Sequence, residues 1–181
     1  DDNSNDGTKE LLLKLKNKYK KINFIKRKNK KRDLSASCID GFKKAKFNYI
    51  LVMDGDLQHK PEEIQKLYSI IINSNYDIVV GDRNLLTKKN KGLIFYRLIT
   101  SILLIFIVNI LLGFKTNDPM SGFFIFKKKI FKENKNKLFN LGYKILLDLI
   151  YSSKKSLKVK DIYIKFDSRL EGHSKINFKI I

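Results

Sequence analysis

Two aspartates one residue apart, Asp54 and Asp56, close an apolar run in "NYILVMDGDLQHKPEEI" (residues 48–64). Carboxylates at alternate positions of an extended chain point to the same side. Held that close, like charges repel. The pair becomes favourable when a divalent cation lies between it and a phosphorylated ligand. Mg²⁺ and Mn²⁺ take oxygen ligands and commonly bind through one or two carboxylates plus substrate phosphates. Gly55 between the two acids lets backbone approach closely. Taken alone, "DGD" also fits an ordinary solvated turn; the strand before it and the Pro-started helix after it favour chemistry. A second cluster, "RLEGHSK", sets Arg169, Ser174 and Lys175 around a glycine. Guanidinium, ammonium and hydroxyl groups suit a phosphate ester, although a basic surface turn has the same composition. His173 has no second histidine at metal-ligand spacing, and for His59 a helix-capping or exposed role competes with ligation. There is no Ser/His/Asp triad, zinc-site spacing or Walker P-loop.

The elements that must position these groups alternate. Thr8 or Asp6 suits the cap of a helix over residues 9–19, and "INFIKR" reads as a short strand. Asp33 suits the cap of a helix to about residue 46, with Cys38, Ile39, Phe42 and Ala45 at helical spacing. "YILVM" is a continuous apolar run, as in a strand buried on both faces. Pro61, Glu62 and Glu63 suit a helix start, and Ile64, Leu67, Ile70 and Ile71 form its apolar stripe. "YDIVVGDR" reads as another buried strand, ending at Arg83. "GYKILLDLIYSS" reads as a helix, and "DIYIKFDSR" alternates like a half-buried strand. Alternating helix and strand predicts an α/β fold with a mostly parallel sheet, in which ligands bind at the carboxyl ends of strands. No repeat or linker divides the chain, so residues 1–181 are expected to form a single domain.

Residues 93–114, "LIFYRLITSILLIFIVNILLGF", are the most apolar stretch and approach the length of a bilayer span. Arg97, Thr100, Ser101 and Asn109 interrupt it, and lysines flank it. The preferred reading is a helix lying at a membrane interface, followed by a buried helix and then a spanning one. A chain that leaves a site and returns to it does not easily cross a bilayer in between.

The 181 residues carry 38 Lys+Arg against 18 Asp+Glu, a net charge of +20. That excess favours an anionic partner, although the Asn-, Lys- and Ile-rich composition is also what AT-rich coding produces. A nucleic-acid-binding module would explain the charge but not acids at a strand end, so no nucleic acid is expected. One cysteine, Cys38, excludes an intrachain disulfide and fits a reducing compartment. The chain opens on "DDNSNDGT" with no signal peptide, as expected of a fragment whose beginning lies upstream.

Together these strings resemble the family 2 glycosyltransferases of the polyprenyl-phosphate branch, the dolichol-phosphate mannose synthases and their bacterial relatives. "DDNSNDGT" resembles the nucleotide-binding turn, and "DLSASCIDGFKKAKFNYILVMDGDLQHKPEEI" the helix, strand and metal-binding region. "VVGDR" resembles the Gly-x-Arg strand end, "NDPMSGFFIFKK" the acceptor-side motif, and "RLEGHSK" the Arg-x-x-Gly-x-Ser-Lys signature. The ordered set covers nearly the whole chain.

The resemblance implies a GT-A fold lacking its first strand. It implies an inverting transfer from a nucleotide sugar (GDP-mannose or UDP-glucose) to a polyprenyl or dolichyl phosphate, with Mg²⁺ or Mn²⁺, at the cytoplasmic face of a membrane. By carry-over, Asp1 and Asp2 would contact the nucleoside. Asp54, Asp56 and Gln58 would surround metal and diphosphate. Arg83, Arg169, Ser174 and Lys175 would hold phosphate, and Asp118 and Ser121 would shape the acceptor side. Three departures stand out. The first strand with its Pro-x-Tyr-Asn-Glu-like turn is absent, Asp-Gly-Asp replaces the commoner Asp-Ala-Asp, and Lys127 stands where an arginine is common. A related transferase with another donor or acceptor is the alternative.

Overall fold

The structure, a computed structural model, describes residues 1–27, 31–83, 103, 106–110, 113, 115–153 and 156–165. They fall into two compact units, Asp1–Lys46 with Phe139–Ile145, and Phe47–Leu138 with Leu146–Ile181.

In the first unit, helix α1 (Thr8–Lys18) starts after Gly7 at φ 82. That left-handed turn costs a glycine little. The Asp6 carboxylate accepts from the Thr8 N–H and hydroxyl. Helix α2 (Leu34–Lys44) is capped as its sequence predicts: the Asp33 side chain accepts from Ala36 N–H at 2.8 Å. Ile39 and Phe42 are its buried apolar residues, whereas Cys38 is only half-buried. The strand expected from "INFIKR" does not form. Residues 22–27 belong to no assigned strand, and their described ladder-type bonds are to Asp1. A β-like sequence needs a neighbouring strand to become a strand.

The second unit is built on a four-stranded sheet, order β1-β3-β2-β4. Its strands are β1 (Tyr49–Val52), β2 (Ile78–Asp82), β3 (Phe124–Lys127) and β4 (Val159–Tyr163). β2 and β4 pair in parallel, with Gly81 opposite Ile162. β3 runs antiparallel to both β1 and β2. Three strands therefore share a direction and β3 is reversed between two of them. Ile78, Val79 and Val80 are all fully buried, which requires cover on both faces of β2. On one face, α3 (Glu63–Asn73) supplies Leu67 and Ile71 to a core with Val79, Phe123, Ile125 and Ile164. Pro61 lies two residues ahead of this helix, in the turn before it rather than in its first turn. Helix α4 (Lys128–Asn134) follows β3 and packs against it. Helix α5 (Ile145–Ser152) buries Leu146, Leu149 and Ile150.

Most of the apolar stretch at 93–114 lies outside the described residues. Residues 103 and 106–110 are helical; Leu103, Phe106, Ile107 and Ile110 are exposed, and Val108 and Asn109 are buried. Among the described residues no helix is long and apolar enough to cross a membrane.

Candidate active site

The strand directions bring three chain segments to one edge of the sheet. Asp54 follows the end of β1, Arg83 follows the end of β2, and residues 115–122 lead into the reversed β3. A reversed strand starts where its neighbours end, so its leading turn joins the strand-end edge, where α/β sheets hold ligands.

Asp56 turns the chain after β1 by accepting from Gln58 N–H at 3.2 Å. Such side-chain-closed turns are characteristic of Asp. Leu57 inside the turn has φ 60, a left-handed conformation that costs a non-glycine residue on the order of 1 kcal/mol. Asp54 lies against the Cα of Gly122: a β-carbon there would sit 2.6 Å from Asp54 Cγ. Only glycine admits the carboxylate at this depth. The Asp54 side chain stays 44% exposed, so its oxygens face a site open to a ligand. His59, for which capping or exposure competed with ligation, is neither exposed nor the residue before α3. It is buried, stacks on Phe123 with centroids 5.0 Å apart, and places Nε2 4.0 Å from Asp54 Oδ2. Burial, reinforced by the charge of Arg83, lowers its pKa from 6.5 to about 4 against the opposing pull of Asp56 and Asp118. The ring is therefore neutral at pH 7.

Arg83 grips Asp118 in a two-pronged ion pair, Nε to Oδ2 at 2.6 Å and Nη2 to Oδ1 at 2.8 Å. The fork geometry fixes the guanidinium plane as a lysine could not. Burial alone would lower the Arg83 pKa. The hydrogen bonds and charge of Asp118, with Asp54 and Asp82, outweigh it and raise the value. Asp118 is almost fully buried. Ser121, expected on the acceptor side, spends its hydroxyl on backbone: Oγ lies 2.8 Å from Gly81 O and accepts from Phe123 N–H. It joins the end of β2 to the start of β3.

Sequence reasoning missed Thr116, Asn117, Asp161, Asp82 and Gly122. Asp161, on β4, accepts from Thr116 Oγ1 at 2.6 Å and Asn117 N–H at 2.8 Å. Burial raises its pKa, these two bonds oppose the rise, and Asp82 and Asp118 add to it. Asn117 Nδ2 reaches Asp82 Oδ2 at 3.4 Å. The edge is thus acidic in a chain of net charge +20, with Asp54, Asp56, Asp82, Asp118 and Asp161 around Arg83. Among the described residues no group of three His, Cys, Asp or Glu gathers as a metal cage. Asp54 and Asp56 instead offer hard oxygen donors to a cation whose remaining ligands come from elsewhere, a donor set that suits Mg²⁺ or Mn²⁺ on a phosphorylated ligand.

Arg169, Ser174 and Lys175 lie outside the described residues. Asp1 and Asp2 belong to the first unit. Buried Arg27 donates there to Asp2 Oδ1 at 2.7 Å, Asp40 Oδ2 at 3.1 Å, Asp33 O and Ser37 Oγ. The other Asp2 oxygen accepts from Asp33 N–H, and the Asp1 carboxylate accepts from Ser4 N–H.

The profile of glycosyl transferase family 2 matches residues 1–134. The whole chain aligns with dolichol-phosphate mannosyltransferases. It is 37% identical to that of Pyrococcus furiosus, 32% to that of Mycosarcoma maydis and 30% to that of Saccharomyces cerevisiae. It spans 50%, 61% and 68% of their respective lengths. Glucosyl-3-phosphoglycerate synthase of Mycobacterium tuberculosis, solved with Mn²⁺, UDP-glucose and phosphoglyceric acid, superposes with a TM-score of 0.70 at 11% identity. That match covers 96% of this chain and 60% of the other. Its complex with uridine diphosphate gives 0.68 at 12% identity, over 99% of this chain and 61% of the other. These likenesses identify the fold as that of the GT-A transferases. By its profile and its relatives, the chain belongs to glycosyl transferase family 2.

Proposed function

We propose that this chain is the catalytic region of a glycosyltransferase that moves a sugar from a nucleotide diphosphate onto the phosphate of a polyprenol lipid. The observation that carries the proposal is the acidic strand-end edge, where the accessible Asp54–Asp56 pair stands beside the Arg83 guanidinium, whose plane is fixed by the two bonds of its fork to Asp118. Acids alone would repel a diphosphate, and the arrangement is productive only with a cation between them. A bound Mg²⁺ or Mn²⁺ would supply charge neutralisation to the leaving diphosphate.

Asp54 and Asp56 would hold that cation, with Gln58 beside them. Gly122 lets Asp54 sit deep enough to do so. Arg83, aligned by Asp118, would hold a phosphate group, and Arg169, Ser174 and Lys175 would complete the acceptor end. Asp1 would meet the nucleoside, and Asp2, whose two oxygens are taken by Arg27 and the Asp33 N–H, would hold the turn that presents it. The acceptor phosphate is anionic at neutral pH, so its oxygen attacks the anomeric carbon without a strong general base. The bond to the diphosphate oxygen breaks, its electron pair leaves with the diphosphate, and the configuration at the anomeric carbon inverts. The neutral, buried His59 fits this scheme as packing beneath Asp54. Holding both substrates in line supplies much of the remaining acceleration.

The relatives' names favour mannose and dolichyl phosphate, hence GDP-mannose as donor. The UDP-glucose held by the Mycobacterium structure favours UDP-glucose as the second reading. The exposed apolar side chains of Leu103, Phe106, Ile107 and Ile110 suit docking at the cytoplasmic face of a membrane, where the acceptor resides. Each Lys or Arg near an anionic surface would add about 1 kcal/mol of attraction.

The test is transfer of labelled mannose from GDP-mannose to polyprenyl phosphate by the intact protein, with Mn²⁺ or Mg²⁺ and then with EDTA. Metal-dependent label in the lipid fraction is expected. Label from UDP-glucose alone would change the donor. No label from any nucleotide sugar, or label undiminished by EDTA, would overturn the proposal.

A further inference from the structure

Asp161 lies one strand away from Arg83 and touches neither Arg83 nor Asp118 through any described hydrogen bond, yet it binds the turn that carries Asp118. β4 pairs with β2 so that Asp161 stands opposite Val80, and Asp82 stands opposite Tyr163. From that position both Asp161 oxygens reach into the turn before β3: Oδ1 accepts from the Thr116 hydroxyl at 2.6 Å, and Oδ2 from the Asn117 N–H at 2.8 Å. The Thr116 oxygen, its proton given to Asp161, accepts in turn from the Asp118 N–H at 3.2 Å. Consecutive residues 116, 117 and 118 are thus pinned to one carboxylate, two directly and the third through a hydroxyl. Asp118 carries the two oxygens that hold Arg83 Nε and Nη2. Thr116 and Asp118 are buried, with exposures of 3% and 1%. Asn117 between them is exposed, and the buried Asp118 carboxylate is retained because Arg83 meets both of its oxygens.

We propose that Asp161 is a positioning residue for phosphate recognition: acting through Thr116 and Asn117, it sets the turn that aims Asp118 and so fixes the plane in which Arg83 meets the acceptor phosphate. This rests on the proposed role of Arg83 toward that phosphate. A two-pronged pair tolerates little tilt. Any shift of the turn therefore rotates the guanidinium out of register with its ligand while leaving the Asp54–Asp56 side of the edge alone. Thr116 suits the relay because its single hydroxyl oxygen donates to Asp161 and accepts from the Asp118 N–H at once.

The test compares two affinities in the intact protein and its variants: geranyl phosphate as acceptor probe, and GDP or UDP with Mn²⁺ as donor probe. In Asp161→Asn the amide can accept from one of its two donors and must face the other with an N–H. In Thr116→Val the shape is kept and the hydroxyl lost. Each is expected to weaken geranyl phosphate about tenfold, with nucleotide affinity changed by less than about twofold. The double variant should be no weaker than the weaker single one, because both break one relay. Thr116→Ser should restore binding. If Asp161→Asn does not fold, Thr116→Val and its serine rescue carry the comparison. Unchanged geranyl phosphate affinity in the folded variants, equal losses for both ligands, or additive losses in the double variant would overturn the inference. Failure of the wild-type protein to bind geranyl phosphate would instead overturn the acceptor reading on which it rests.

Discussion

Arg27 and Arg83 are both arginines set among aspartates, one in each unit, and they do different work. Arg27, 7% exposed, spreads its donors over Asp2, Asp40, the Asp33 carbonyl and Ser37. Its carboxylates are also tied inward: Asp33 caps α2 and accepts from Gly142 N–H, and Asp2 accepts from Asp33 N–H. The cluster is closed, and it ties Arg27 to the start of α2. Arg83 concentrates its fork on Asp118, beside carboxylates at 54 and 56 that stay accessible. A closed cluster stabilises a fold. An acidic edge with accessible carboxylates can be reached by something that binds.

The contrast can be broken in three ways. If the Arg27 cluster is a structural staple, Arg27→Ala takes the guanidinium from the Asp2 and Asp40 carboxylates, 23% and 21% exposed, and leaves Asp40 with Lys43 at 3.7 Å. A loss of about 3 kcal/mol in urea unfolding is expected; a loss below about 1 kcal/mol would remove the distinction from the site side. Gly122→Ala tests the open edge. Its β-carbon must push aside the Asp54 carboxylate, and Asp54 can swing toward solvent. Mn²⁺ affinity measured in the presence of GDP should fall about tenfold or more, with the unfolding midpoint little changed. Undiminished Mn²⁺ affinity would show that the seat of Asp54 on Gly122 is incidental. The smallest effect is His59. Its native pKa is about 4 against 6.5 unfolded, so on acidification the unfolded chain takes up the proton first. Stability attributable to this ring is full above pH 6.5 and is lost as pH falls toward about 4. His59→Gln should flatten that part of the stability–pH curve, and an unchanged slope would mean the ring titrates normally.

What the sequence made legible follows from what a side-chain pattern encodes. Ile78–Asp82 stood out because a strand covered on both faces is apolar throughout; Tyr49–Val52 has the same apolar run, but at the end of the described sheet only Ile50 is buried and its neighbours are half-buried. The stripe Ile64, Leu67, Ile70 and Ile71 located α3 in the same way. Asp54, Asp56, Arg83 and Asp118 do meet at one edge, since a strand's end fixes where its next residues go. The reversal of β3 was invisible, because "FFIF" has the same pattern in either direction. The "INFIKR" segment has strand-like residues and, among the described residues, no partner strand, which no local pattern reveals. Asp161 was hidden in an alternation where it passed for an outward-facing polar residue. Gly122 and His59 were unreadable for a related reason: a close approach and a ring stack are contacts between segments far apart in the chain. Likewise nothing in the letters separates Asp2, taken by Arg27, from Asp54, open beside Gly122.

The most direct test of the central claim is sugar transfer to polyprenyl phosphate by Asp56→Asn in the intact protein, across a Mn²⁺ titration. The amide keeps the shape of the turn and loses the charge that a cation would require. Transfer should fall about a thousandfold while the unfolding midpoint is retained. Near wild-type transfer at low Mn²⁺ by a folded Asp56→Asn would contradict the assignment of the strand-end acids to a metal–diphosphate site.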